Sequence, residues 1–205
     1  MRARAFLPVA LLSTTLAASA AAQGFPASSQ RVQDRAPAAE DEAEIRAGAL
    51  DNLFEMLLAA SSAEAAQQID QVIWALWLQS GNEEADNLVS LAILAMQIGD
   101  FPLAREHLDA AIAIAPDFSE AWNKRATVYF LEGDYAHSLE DIDVVLELEP
   151  RHFGALSGLG MILERLDRKE DALSAYRRVL EIYPQLPGVQ AKVQELVVDV
   201  EGIEL

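Results

Sequence analysis

The stretch IGDFPLAREHLDAAIAIAP at 98–116 recurs in related form at a spacing of 34 residues, as EGDYAHSLEDIDVVLELEP at 132–150 and as LDRKEDALSAYRRVLEIYP at 166–184. Each stretch ends in a proline, carries a small residue at its seventh position and has apolar or aromatic residues at its eleventh and fourteenth positions. A fixed period of this length is typical of stacked helix–turn–helix units. The sequence therefore predicts an all-α fold built from repeats.

Each unit contains the signals for two helices. Apolar residues in 85–98 recur at steps of three and four, which indicates one face of a helix. A glycine follows, and the next residue, Asp100 or Asp134, is expected to cap the second helix. In the third copy, Asp167 and Glu170 have the spacing of a capping box and are expected to start that helix.

The recurring positions are, unit by unit, Leu88, Leu91, Ala92, Ala95, Ala104, Leu108, Ala111 and Pro116; Trp122, Arg125, Ala126, Tyr129, Ser138, Ile142, Val145 and Pro150; and Leu156, Leu159, Gly160, Leu163, Ala172, Tyr176, Val179 and Pro184. This pattern resembles the tetratricopeptide repeat family. The resemblance implies a right-handed superhelical solenoid of antiparallel helix pairs, with units at 85–118, 119–152 and 153–186. One pair cannot bury its apolar face alone, so neighbouring units must stack.

Weaker helical segments flank the three units. Residues 44–82 are expected to form a degenerate helical pair that caps the stack, with Ser61 and Glu64 starting its second helix and Gly81 ending it. Whether this pair is a true repeat stays open. Residues 187–199 are predicted to be a C-terminal capping helix, and residues 200–205 a loosely held tail.

The N-terminus has the pattern of an export signal. Basic residues precede an apolar run within 1–22, and small residues end it, so cleavage is expected between Ala22 and Gln23. The alternative is an uncleaved membrane anchor. Residues 23–43 are rich in Ala, Pro, Ser, Gln and acids and are predicted to be a disordered linker. We therefore expect a small exported bacterial protein, periplasmic and without membrane insertion after cleavage.

The composition disfavours several classes of partner and of chemistry. The chain has a net charge of −18, and removal of the leader leaves 13 basic and 33 acidic residues, a net charge of −20. Such a charge disfavours nucleic acid and anionic lipid as partners. The chain has no cysteine, and its three histidines, at positions 107, 137 and 152, fall at different points of the repeat. We therefore expect no catalysis, no cofactor and no metal site.

Arg125 occupies a repeat position at which the other two units have leucine. An unpaired cation between the helices would cost several kcal/mol. We expect a structural ion pair with Asp141, with Asp143 or Glu149 as alternatives. In the remaining alternative, the guanidinium reaches outward to solvent while its stem packs.

The family resemblance also implies where a ligand would bind, because the first helix of each pair lines a concave groove. The candidate groove residues are Val89, Ile93, Met96, Asn123, Thr127, Phe130, Ser157, Met161 and Arg165. For each, the alternative is packing against a neighbouring unit. Val89 and Ile93 stand where the family's carboxylate clamp needs polar residues, so chaperone-tail binding of that kind is not expected.

The expected function is therefore that of a scaffold that binds a protein or peptide in its groove. The alternative is a structural or self-associating module, a homo-oligomer that uses an exposed region around Trp74 and Trp77 in the N-terminal pair as its interface.

Overall fold

The computed structural model describes residues 36–202 and contains only helices and connecting turns within that range. The nine helices of this part of the chain are α1 Ala36–Leu58, α2 Ala63–Trp77, α3 Glu83–Gln97, α4 Phe101–Ile114, α5 Ser119–Glu132, α6 Tyr135–Leu148, α7 Phe153–Arg165, α8 Lys169–Ile182 and α9 Val189–Glu201. The all-α prediction is confirmed. The predicted leader, its cleavage site at Ala22 and Gln23, and residues 23–35 of the predicted linker lie outside the described residues.

The helices α3 to α8 form three antiparallel pairs, which we call units 1, 2 and 3. Small residues let the two helices of each pair approach closely, since Ala92, Ala126 and Gly160 in the first helices are buried, as are their partners in the second helices. Gly160 shows how close the approach is: a Cβ at this position would lie 2.6 Å from the ring of Tyr176. Consecutive pairs then pack side by side.

The turns between paired helices differ in the third unit. Asp100 and Asp134 cap α4 and α6, accepting hydrogen bonds from backbone N–H groups in the first turn. Asp167 does not cap α8. It takes up the left-handed conformation, with φ at 57°, that glycine adopts in the other two turns, and α8 begins after Arg168 without a side-chain cap. Aspartate tolerates this conformation better than most residues, so the backbone path is kept without a glycine.

The N-terminal pair, α1 and α2, differs from the prediction in its bounds. Helix α1 begins at Ala36, so the last eight residues of the segment predicted as a linker are helical. Alanine and glutamate dominate this segment, and both are strong helix formers. Helix α2 is capped by Ser62 rather than Ser61, and it ends at Trp77, before Gly81.

The N-terminal pair also packs in an unexpected place. Its apolar residues Leu57, Ile73 and Trp77 join the core formed by α7, α8 and α9, not the core of unit 1. The side chain of Gln185 ties this arrangement by donating a hydrogen bond to the carbonyl of Ala60. We expected a pair that caps the stack, and the structure places its apolar residues against unit 3 and α9.

The C-terminal helix α9 covers the unit 3 end of the array. Val189, Leu196 and Val197 are buried against unit 3, as expected of a capping helix. The helix runs to Glu201, into the segment predicted as a tail, and residues 203–205 lie outside the described residues. Within residues 36–202, no helix is both long enough and apolar enough to cross a lipid bilayer.

Candidate functional site

A small cavity opens between the first helices of units 2 and 3. Its volume is about 80 Å³. Four of the predicted groove residues line it, namely Asn123, Thr127, Phe130 and Met161. The spacing explains this grouping: positions 123, 127 and 130 share one face of α5, and positions 154, 158 and 161 share one face of α7.

Two of the three glycines of α7 help to keep this cavity open. Gly154 and Gly158 line it without side chains of their own. A Cβ on Gly158 would make an ordinary contact with Ile142, 3.6 Å away at the back of the cavity. The remaining lining side chains are apolar or neutral, so no formal charge faces the space. The cavity therefore suits an apolar side chain.

The other predicted groove residues lie elsewhere. Val89 is buried in the core of unit 1, and Ile93 and Met96 pack partly against that core. The hydroxyl of Ser157 donates a hydrogen bond to the carbonyl of Phe153 at 2.7 Å. Arg165 is exposed at the far end of α7. The structure therefore concentrates the candidate groove between units 2 and 3.

A buried polar cluster lies beside the cavity and includes the side chain of Asn123. The carboxylate of Glu120 is fully buried and accepts a hydrogen bond from Asn123 Nδ2 at 2.8 Å. His152 Nε2 lies 3.1 Å from the same oxygen, and Lys124 Nζ lies 2.7 Å from the other oxygen. His152 Nδ1 accepts the backbone N–H of Ala155, so the ring proton is on Nε2 and is donated to Glu120. Asn123 thus lines the cavity and also has a structural hydrogen bond, and its contact with a ligand stays a prediction.

The environment of Glu120 favours its charged form. Burial acts to raise the pKa of this carboxyl, but the hydrogen bond from His152 and the charge of Lys124 outweigh burial, so the pKa lies below its usual value. Sequence reasoning missed His152 because the histidine approaches Glu120 only when units 2 and 3 stack.

The two tryptophans of α2 close one end of the groove. Trp77 stacks on the ring of His152, with centroids 4.0 Å apart and planes 6° from parallel. Trp74 lies under Lys124, whose Nζ is 5.1 Å from the ring centroid, and a Cβ on Gly154 would lie 2.8 Å from the Trp74 ring. Trp77 is thus buried within the chain, and Trp74 is half-buried. The expectation that this region is exposed is wrong for Trp77, and self-association through the N-terminal pair stays a prediction.

Arg125 lies away from the cavity, between units 1 and 2. Its Nε and Nη2 atoms donate to the two carboxylate oxygens of Asp141 at 2.8 and 2.7 Å, and Nη1 donates to Asp109 at 2.7 Å. These contacts raise the pKa of Arg125 above its usual value, and the hydrogen bonds to Asp141 contribute most. The alternative partner Glu149 pairs with Arg151 instead, at 2.9 Å.

Comparison with known proteins agrees with this architecture. The tetratricopeptide repeat family model matches residues 89–147 and 132–187. A tetratricopeptide repeat-containing protein of Rhizobium etli is 39% identical over 153 residues, which cover 75% of each chain. The chain belongs to the tetratricopeptide repeat family. Members of this family mediate interactions between proteins.

More distant tetratricopeptide repeat proteins share only part of the chain. Tetratricopeptide repeat protein 36 of Bos taurus is 31% identical over 104 residues, and the match covers 49% of this chain and 55% of the bovine protein. The first repeat domain of Spaghetti (RPAP3), solved with the HSP90 peptide SRMEEVD, has a TM-score of 0.56 at 20% identity, covering 58% of this chain and 94% of that domain. The Sgt2 domain of Aspergillus fumigatus has a TM-score of 0.55 at 22% identity, covering 58% and 81%. These two structures share the fold.

Proposed function

We propose that this protein is an exported scaffold that binds an apolar peptide segment of a partner protein in the groove between units 2 and 3, without catalysis of its own. The observation that carries the proposal is the uncharged cavity between α5 and α7, edged by Phe130 and Met161. Met161 adapts to different apolar ligands because its thioether chain is flexible, and Phe130 offers a flat apolar surface.

The size of the cavity favours a peptide over a small molecule. Pockets for small molecules and cofactors have volumes of about 300–1,000 Å³, whereas this cavity has about 80 Å³. That space suits one aliphatic side chain, with the rest of the peptide lying along α5 and α7. We infer an apolar anchor residue flanked by neutral or basic residues, since the chain carries a net charge of −18.

An acidic chaperone tail is a poor fit for this groove. The Spaghetti domain is bound to the peptide SRMEEVD, which has two glutamates, an aspartate and one arginine. In the present chain Val89 is buried and Ile93 is half-buried in unit 1, where the carboxylate clamp of the family would need polar side chains. The acidic surface would repel such a peptide further.

The export part of the proposal rests on the sequence of residues 1–22. It is tested by the intact mass of the protein recovered from the envelope of the producing bacterium. Cleavage after Ala22 gives a chain that starts at Gln23, whereas an intact N-terminus would contradict export by cleavage.

The groove is tested with two glutamate substitutions of equal exposure. Met161 edges the cavity and Val198 lies on α9, and each has 44% of its surface exposed. Affinity capture from envelope extracts should recover the partner with wild type and Val198→Glu. Met161→Glu should lose about tenfold or more of it, because the carboxylate would be desolvated against an apolar ligand. Equal recovery with both variants would refute groove binding.

A further inference from the structure

Contacts between units 1 and 2 show which face of a first helix is covered by the preceding unit. From α5, Arg125 reaches Asp109 on α4 at 2.7 Å, and Glu132 accepts from Arg105 on α4 at 2.7 Å. Val128, between them on the same face, is completely buried. Positions 125, 128 and 132 of α5 therefore mark the stacking face.

No helix within residues 36–202 covers the same face of unit 1. The residues 34 positions earlier are Leu91, Leu94 and Ile98, which are 47%, 56% and 79% exposed. The N-terminal pair, which precedes unit 1 in the chain, packs against α7 to α9 instead. A stacking face with three large apolar side chains thus remains exposed, which is typical of an interaction site.

Apart from its first turn, where Glu83 and Glu84 are exposed, the exposed side of α3 carries no charge. From Asn87 to Ile98, just past the end of the helix, this α3 stripe consists of the uncharged residues Asn87, Ser90, Leu91, Leu94, Gln97 and Ile98, all on one side. The chain as a whole has 33 acidic and 15 basic residues. Two copies repel one another through most of such a surface, so a neutral stripe is where they can approach at the lowest electrostatic cost.

We propose that the α3 stripe is the interface of a homodimer, in which α3 of one protomer packs antiparallel against α3 of its partner. A two-fold axis brings the same residues together from both sides, so a neutral apolar stripe faces its own copy. Leu91, Leu94 and Ile98 recur at steps of three and four, which forms the continuous ridge that helix packing needs. The stripe would bury less surface than a standard protein–protein interface, so we expect the dimer to have a dissociation constant on the order of 10 μM.

Sedimentation velocity of the mature chain, residues 23–205, tests this dimer over concentrations from about 1 to 300 μM, chosen to bracket that constant. The dimer fraction should rise with concentration. It should also rise between about 0.05 and 0.5 M NaCl, because salt screens the repulsion between acidic copies. Leu94→Glu places two carboxylates against each other at the axis and should weaken the dimer at least about tenfold.

The matched control is Leu131→Glu, a change of the same residue type in α5 at 52% exposure. This variant should dimerise like wild type, and circular dichroism checks that both variants fold. A wild type that stays monomeric at every concentration and salt would overturn the proposal. Equal weakening by both variants would overturn it too, as would a monomer in which the N-terminal pair has moved onto α3. Capture of a groove partner is scored separately, so either proposal can fail alone.

Discussion

Replacing Arg125 by leucine tests whether the fold depends on the ion pair between units 1 and 2. In the other two units the same position holds Leu91 and Leu159, so leucine is compatible with the repeat. The substitution leaves Asp141 buried without the two hydrogen bonds that it receives from the guanidinium. The expected effect is therefore a loss of stability, even though the new residue matches the family pattern.

The magnitude follows from the two carboxylates that Arg125 contacts. Removing one partner of a buried ion pair costs about 3–5 kcal/mol. A partly buried leucine returns about 1 kcal/mol of this through its apolar surface. Asp109 has 59% of its side chain exposed and regains water at little cost. The free energy of unfolding should fall by about 2–4 kcal/mol.

Urea denaturation followed by circular dichroism measures this loss, and two further variants locate its cause. The double variant Arg125→Leu/Asp141→Ala gives unit 2 the residue types that unit 3 has at the same repeat positions, Leu159 and Ala175. It should therefore recover at least half of the lost stability. Arg105→Leu removes the more exposed pair with Glu132, also between α4 and α5, and should cost less than about 1 kcal/mol.

Two results would refute the reasoning about Arg125. A single variant as stable as wild type would mean that water reaches Asp141 and that its burial carries no penalty. A double variant less stable than the single variant would mean that Asp141 is needed for contacts other than Arg125.

Three further predictions concern other buried positions. Gly160→Ala should lower the free energy of unfolding, measured in urea, by about 1–3 kcal/mol, because its Cβ would lie 2.6 Å from the Tyr176 ring. Gly158→Ala has space for a Cβ and should raise the free energy of unfolding by about 0.5–1 kcal/mol. The lowered pKa of Glu120 means that its contribution to stability is present above its ordinary pKa of 4.5 and is lost as the pH falls through the lower folded value. Urea titrations at a series of acidic pH values should show this loss in wild type and a shallower one in Glu120→Gln. Trp77→Ala should cost about 3–5 kcal/mol in the same urea assay, because it empties a buried aromatic site.

The repeat units were predictable because their main determinants are local or periodic. Prolines at 116, 150 and 184 and the small residues at each helix crossing recur in register, so the length and pairing of α3 to α8 follow from the sequence. The groove position follows only in part. Asn123, Thr127, Phe130 and Met161 line the cavity as predicted, but the hydrogen bond from Asn123 to Glu120 was not predicted.

The packing of the N-terminal pair was not predictable from one sequence. It depends on contacts between residues far apart in the chain, above all the stacking of Trp77 on His152. Neither residue has a periodic pattern that points to the other. The third turn shows the same limit at short range, since Asp167 matches a helix cap by type and yet replaces a glycine.

The position of the N-terminal pair affects both the groove and the exposed face of α3. In the repeat register, Leu58 stands where units 1 to 3 have Ala92, Ala126 and Gly160, which allow close helix approach. The backbones of α1 and α2 do not approach each other as those of the units do, and Leu58 stays exposed at the end of α1. A pair that cannot close cannot present the compact surface that stacking on α3 requires. Its tryptophans instead pack against the start of α7, where Trp77 is buried and Trp74 half-buried, so one packing arrangement both closes one end of the groove and leaves the α3 stripe free.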